Sequence, residues 1–147
     1  MIRSATLSDL SALANLFDQY RVFYRKDSDI PAAEQFLKDR LTLGDSVIYV
    51  AEIAGELVGF TQLYPIFSST RMRRLWLLND LFVHPAQRGQ GLSLQLLDQT
   101  KKHCRETRAC GVMLETEKSN TIGNRLYPRA GFQQNEGSNF YEWTNNE

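Results

Sequence analysis

The sequence predicts an α/β domain built on a central mixed, mostly antiparallel twisted sheet of six to seven strands with four helices on its faces. Three observations predict it. Residues 46–83 hold three successive β-rich runs joined by short turns. Leu75 to Leu97, LWLLNDLFVHPAQRGQGLSLQLL, then passes from an apolar strand through a glycine-bearing turn into a helical pattern. Two amphipathic helical patterns precede the meander, and a further strand pattern follows the third helix. A meander followed by a strand–helix–strand unit closes as one mixed sheet covered on both sides.

Taken in order, Met1 to Thr6 is a short strand and Ser8 is placed to cap a first helix. Leu10, Leu13, Ala14 and Phe17 recur at helical spacing, which carries that helix to about Phe23. Pro31 suits the first turn of a second helix with Ala33, Phe36, Leu37 and Leu41 on its apolar face, ended by Gly44-Asp45. SVIYVAEIA, residues 46–54, is a strand. Gly55-Glu56 reads as a hairpin turn into Leu57 to Tyr64, with Pro65 to Thr70 as a loop. Arg71 to Val83 is a long central strand. The third helix buries Leu92, Leu96 and Leu97, with Cys104 as a further candidate. Gly111 to Glu117 is a strand, and Ser119-Asn120 caps a short helix with Ile122, Leu126 and Ala130 on one stripe. Asn139 to Thr144, NFYEWT, reads as a last strand, with one more allowed near Phe132.

The 147 residues suit a single domain, 1–147, with a real core. Seventeen basic and seventeen acidic residues cancel, which argues against a general nucleic-acid binder. Two basic clusters stand out: Arg71, Arg73 and Arg74, then Lys101, Lys102, Arg105 and Arg108. Each reads as a solvated face, with local attraction of an anionic ligand as the alternative. No signal-peptide pattern or membrane-length apolar run occurs, so a cytoplasmic location is expected. There Cys104 and Cys110 would be free thiols. His84 and His103 lack metal-ligand spacing, and no metal site is expected.

Chemistry concentrates on the turn Arg88-Gly89-Gln90-Gly91 and the helix start Leu92-Ser93. A helix N-terminus leaves backbone N–H groups without intrahelical partners, and with the helix dipole these favour an anion. Glycines let a phosphate approach the backbone. The turn is neither a Walker A loop, lacking Gly-Lys-Ser/Thr, nor a dinucleotide fingerprint, lacking the third glycine. A second constellation is Asn120-x-x-Gly123-x-x-x-Tyr127-x-x-x-Gly131-Phe132, which puts Tyr127 one turn after Gly123 on the same helix face.

Together the two features resemble the GNAT superfamily of acetyl-CoA-dependent N-acetyltransferases. Its pyrophosphate motif, Arg/Gln-x-x-Gly-x-Gly/Ala, stands here as Arg88-x-x-Gly91-x-Ser93, with serine in place of the usual smaller residue. The Asn…Tyr…Gly-Phe pattern and the opening IRSATLSDLSALANLF are also similar to the family's. The resemblance implies acetyl-CoA as cofactor. Backbone of Leu81, Phe82 and Val83 would pair with its pantetheine arm. N–H groups of Arg88, Gly89, Gln90, Gly91, Leu92 and Ser93 would hold its pyrophosphate. Asn120 would touch the arm, and Tyr127 would stand near the thioester sulfur. The implied reaction is direct attack by a primary amine within a ternary complex.

That chemistry sets two demands. A lysine-like amine with pKa about 10.4 is neutral in roughly one molecule in 10³ at pH 7, so deprotonation costs about 4–5 kcal/mol unless the site helps. A phenol near pKa 10 is about 2 kcal/mol uphill as an acid toward a thiol near 8.5. Tyr127 must therefore act through a strong hydrogen bond or a pKa lowered by the site. The base is open. Similar proteins often carry a carboxylate where Asn79 stands here, and Asn cannot take a proton. Asp80 is adjacent but expected on the opposite sheet face. Glu115 and Glu117, expected to share a face of the next strand, are alternatives, as are a base acting through water and no dedicated base. Tyr20, Tyr24, Glu34 and Tyr64, with Asn79, are candidates to line an aromatic, mildly acidic acceptor pocket.

The acceptor is expected to be a small-molecule amine such as a polyamine or amino acid. LWLLNDLFV with its arginine-rich lead-in is modestly similar to the spermidine/spermine acetyltransferase branch. The alternatives are a protein or peptide acetyltransferase and a non-catalytic acyl-CoA sensor. Partners other than substrate are not expected, save a homodimer through late strands bearing Phe140, Tyr141 and Trp143.

Overall fold

The computed structural model describes all 147 residues, which form two compact units, Met1–Glu115 and Thr116–Glu147. The first holds β1 (Ile2–Ser4), α1 (Leu10–Phe23), α2 (Ile30–Leu43), β2 (Val47–Ile53), β3 (Glu56–Ser68), β4 (Arg73–Val83), α3 (Leu92–Glu106) and β5 (Val112–Met113). The second holds α4 (Thr121–Arg129). One five-stranded mixed sheet runs in the order β1-β2-β3-β4-β5, antiparallel through β4 and parallel between β4 and β5.

Local chemistry explains the helix ends. A 3-10 turn, Leu7–Asp9, precedes α1, and Thr6 with Asp9, rather than Ser8, forms the capping box. The Arg3 guanidinium grips the Asp9 carboxylate through two 2.8 Å bonds and holds its pKa down to about 2. Asp29 caps α2 by accepting from the Ala32 N–H, and Gly44 ends it at φ +64°. Asp18, buried on α1, accepts from Ser28 Oγ at 2.6 Å and the Asp29 N–H at 2.7 Å, which ties the α1–α2 connection to the helix.

The sheet separates two apolar layers. Leu13, Phe17, Ala33 and Leu37 of α1 and α2 pack on Ile48, Val50, Phe60 and Phe82. Tyr49 lies between Ile48 and Val50 and so faces the other way. There its hydroxyl meets His103 Nδ1 of α3 at 2.9 Å, and Trp76 Nε1 donates to Thr107 Oγ1 at 2.8 Å. Burial pushes the His103 ring below its usual pKa and keeps it neutral, with Nε2 buried and unpartnered. Thus α1 and α2 cover one face and α3 the other.

Several sequence expectations shift. The hairpin turn is Ala54-Gly55, one residue earlier than predicted, with both residues at positive φ and Ile53 paired to Glu56. β3 runs on through Pro65 to Ser68, because the pairing with β4 extends to Ser68↔Arg73 and absorbs the predicted loop. The sheet has five strands rather than six to seven. The predicted strand 111–117 is ordered as β only at Val112–Met113, where it meets Trp76 and Leu77. Residues 139–144 form no strand, and Phe140, Tyr141 and Trp143 are 65%, 89% and 86% exposed. β-rich composition makes a strand only where a neighbouring edge supplies hydrogen bonds. Ile122, expected on the buried stripe of α4, is exposed. Cys104 is half-buried, and both cysteines are free.

The irregularity that shapes the centre of the sheet lies in β4. Leu63 pairs with Leu78 and Gln62 with Asp80, so Asn79 is an extra residue opposite no partner. This is a β-bulge, which shifts the alternation of everything after it. Trp76 and Leu78 face α3, whereas Asp80 and Phe82 face α1 and α2. In an unbroken strand these four alternate residues would share one face.

Candidate active site

The bulge overturns the expectation that Asp80 points away from Asn79. Both side chains lie on the α1–α2 side, and Asn79 Nδ2 donates to Asp80 Oδ1 at 3.0 Å. Gln62 Nε2 donates to Asp80 Oδ2 at 2.6 Å, and the Tyr20 hydroxyl donates to the Asn79 carbonyl at 3.1 Å within reach of the same carboxyl. Asp80 is only 3% exposed. Burial raises its pKa above the ordinary carboxylate range, against the opposing pull of the Gln62, Tyr20 and Asn79 hydrogen bonds. A carboxyl of raised pKa is a stronger base than an exposed one.

Aromatic groups surround this carboxyl. Tyr20 packs edge-on to Tyr24, Phe60 and Phe82 at centroid distances of 5.1, 5.8 and 6.3 Å. Tyr64 shares a face of β3 with Gln62, and burial together with the Asp80 charge pushes its hydroxyl up to about 12. Of the candidates for the acceptor pocket, Asn79 and Tyr64 lie beside Asp80, Tyr24 reaches this cluster only through Tyr20, and Glu34 stands exposed on α2. Glu115 is exposed two residues beyond β5, and Glu117 lies in the second unit. The strand stops at Met113, so these two acids share no strand face. Gln62 and Ser46, which bonds to it, escaped the sequence reading. A glutamine in the run LVGFTQLY carries no signal of its own until its cross-strand partner is known.

Beyond Leu77, β4 has no sheet partner on the β5 side. The His84 N–H donates to the Val58 carbonyl at 2.7 Å, and the Phe82 carbonyl also lies toward β3, beside Gly59. Backbone alternation then turns Leu81 and Val83, not Phe82, toward the open edge. Such an edge can pair with an extended amide-bearing chain. Arg88 Nε donates to the Val83 carbonyl at 3.0 Å and its guanidinium lies 5.7 Å from the Phe82 ring, which folds the turn back on the strand.

Within the turn, Gly89 and Gly91 sit at φ +81° and +77°. A Cβ at either would meet no protein atom within 4 Å, so within the chain it is the backbone conformation that requires glycine. Gly91 begins α3 with no side-chain cap. The first N–H groups of a 15-residue helix, from Leu92 and Ser93 onward, thus remain available to an anion. Gln90 leans back to Gln87, its Nε2 2.9 Å from Oε1. The open edge and this donor set fit an acyl carrier with both an amide-bearing arm and a pyrophosphate.

The second unit is organised by Asn120. Its Oδ1 accepts from the Gly123 N–H at 3.0 Å and its Nδ2 donates to Thr116 Oγ1 at 2.9 Å. The amide expected to touch a ligand thus caps α4 through its oxygen and ties down Thr116 through its NH₂ group. A Cβ on Gly123 would stand 2.6 Å from Asn120 Nδ2, so glycine here is a packing requirement. Gly123→Ala should dislodge the cap at a cost of about 1–2 kcal/mol and speed α4 amide exchange roughly 5- to 30-fold. Exchange measured by mass spectrometry checks this, and unchanged rates would refute it. Tyr127 is half-buried, with its ring edge-on to Phe132 at 6.0 Å.

Comparison with known proteins gives the family and the fold. The family model described as "Acetyltransferase (GNAT) family" matches residues 10–132. An uncharacterized N-acetyltransferase, YhfO, of Bacillus subtilis (strain 168) is 47% identical over 136 residues, covering 92% of this chain and 91% of its own. A crystal structure described as a probable acetyltransferase superposes with a TM-score of 0.95 at 36% identity, covering 100% of this chain and 99% of that one. A predicted acetyltransferase from Clostridium acetobutylicum, crystallised with acetyl-CoA, shares the fold with a TM-score of 0.78 at 18% identity, over 97% and 95% of the two chains. No helix is long and apolar enough to cross a membrane. Matched over most of its length, the chain belongs to the GNAT family of acetyltransferases, enzymes that use acetyl-CoA.

Proposed function

We propose that this acetyltransferase moves an acetyl group from acetyl-CoA to a primary amine of a small molecule, with Asp80 as the base. The observation that carries the reading is the buried Asp80 carboxyl, turned by the bulge at Asn79 toward Tyr20 and Tyr64. When bound, acetyl-CoA supplies the acetyl group as an activated thioester. Leu81 and the Val83 N–H offer backbone pairing to its arm, the Val83 carbonyl being held by Arg88, and the Gly89–Ser93 turn offers N–H donors to its pyrophosphate.

An acceptor amine arrives as a cation, and tyrosine faces with one carboxylate favour that charge. Asp80 takes the ammonium proton directly or through one water, which restores the lone pair that attacks. Its raised pKa narrows the gap to the amine, and the low dielectric around it weakens the cation's hold on the proton. The Leu81 N–H, turned to the open edge, is placed to stabilise the developing oxyanion. Tyr127, in the second unit, holds the position to which the family pattern assigns support of the departing sulfur.

The test is release of free CoA from acetyl-CoA against polyamines, amino acids, aminoglycosides, aminoalkylphosphonates and a lysine-rich peptide. Turnover is expected with a small cationic amine and not with the peptide. Peptide turnover alone would replace the small-molecule reading. Tight acetyl-CoA binding without turnover on any amine would also count against it.

A further inference from the structure

We propose that Ser46 and Gln62 are positioning residues, which lock the Gln62 amide so that its N–H, and not its carbonyl, faces Asp80. The inference rests on the reading of Asp80 as the base. Gln62 is fully buried on β3, directly across from Asp80. Its two amide ends face opposite demands. An ionised carboxylate offers only acceptors, so it requires the Nε2 end. At the other end Ser46 Oγ donates to Oε1 at 2.9 Å, which an amide turned end for end would not satisfy in the same way. The acceptor-only carboxylate thus selects the N–H end of Gln62, and Ser46, just before β2, holds the far end of the amide in place from outside the site.

The remaining neighbours do not replace this donor. Tyr20 comes from α1 and shares its hydroxyl with the Asn79 carbonyl. Asn79 comes from the bulge and is exposed. Tyr64 stands beside the carboxyl on β3, and Arg40 and Asp45 face Tyr64 in turn. No cation contacts the carboxyl, so its proton affinity depends on neutral donors, and Gln62 donates at 2.6 Å against 3.0 Å from Asn79. Losing it disfavours the charged form and raises the pKa. The base must be ionised to act, so the acid limb of activity moves up with it.

The experiment is a ¹³C titration of the Asp80 carboxyl in the full chain, beside pH profiles of kcat/KM, for the parent, Gln62→Met and Ser46→Ala. Gln62→Met keeps length and volume but removes the donor. It should raise the Asp80 midpoint by about one to two pH units and move the acid limb equally. Ser46→Ala, at a half-exposed position that tolerates truncation, should raise both by about half a unit, and it decides the matter should Gln62→Met fail to fold. Activity well above the shifted midpoint should recover to within about threefold of the parent. Unmoved carboxyl titrations in the folded variants would overturn the positioning role. A shifted titration with an unmoved kcat/KM profile would leave the Ser46–Gln62 lock standing and remove Asp80 as the base.

Discussion

Asp80→Asn should lower kcat/KM by about 10²- to 10⁴-fold, the usual range for removing a positioned base. The substitution keeps the shape of the side chain. The oxygen of the introduced amide can accept from Gln62, and the exposed Asn79 side chain can turn its own oxygen toward the new NH₂ group. Binding of acetyl-CoA should therefore survive, while the acid limb of the pH profile disappears with the group that produced it. The same variant carries a stability signature of opposite sign. The folded pKa of Asp80 is raised by burial above its unfolded value. Its stabilising contribution is then complete below the unfolded pKa of about 4 and is lost as pH rises through the folded value. The Tm of Asp80→Asn minus that of the parent should accordingly grow as pH is raised from 4. Turnover within threefold of the parent would remove Asp80 from the mechanism. A Tm difference independent of pH would mean that Asp80 is not strained by its burial.

Tyr127→Phe should reduce kcat by about 10²-fold while acetyl-CoA affinity changes by less than about twofold. Phenylalanine keeps the edge-on pair with Phe132, so only the hydroxyl is tested. A hydroxyl that meets the sulfur only as negative charge develops there contributes to the transition state more than to binding, which lowers kcat and kcat/KM together. Calorimetric binding of acetyl-CoA alongside steady-state kinetics separates the outcomes. Equal kcat in both forms would end the role assigned to Tyr127, and parallel loss of affinity would make it a binding residue.

Patterns carried by single elements were legible in the chain. Helical spacing from Leu10 to Phe17 located α1, and Pro31 and Gly44 bracketed α2. Gly89 and Gly91 marked the turn before α3, and both take the positive φ that such a turn requires. Relations between elements were legible less well. The hairpin moved by one residue because Ala54 itself takes a left-handed conformation at φ +50°, which its side chain gives no sign of adopting. NFYEWT has strand composition, yet composition names no partner edge, and residues 139–144 pair with none. The bulge at Asn79 decides which face Asp80 occupies. It arises from how β3 registers against β4, and LWLLNDLFV read alone alternates without a break.

By itself, then, the sequence determined the family, the succession of most elements and the glycine turn, because each is encoded in residues close along the chain. Only the tertiary structure decided that Asp80 and Asn79 share a side, that Gln62 and Ser46 stand behind the carboxyl, and that Glu115 does not lie on a strand. Those depend on cross-strand register, and a one-residue slip of register reverses every side chain that follows it.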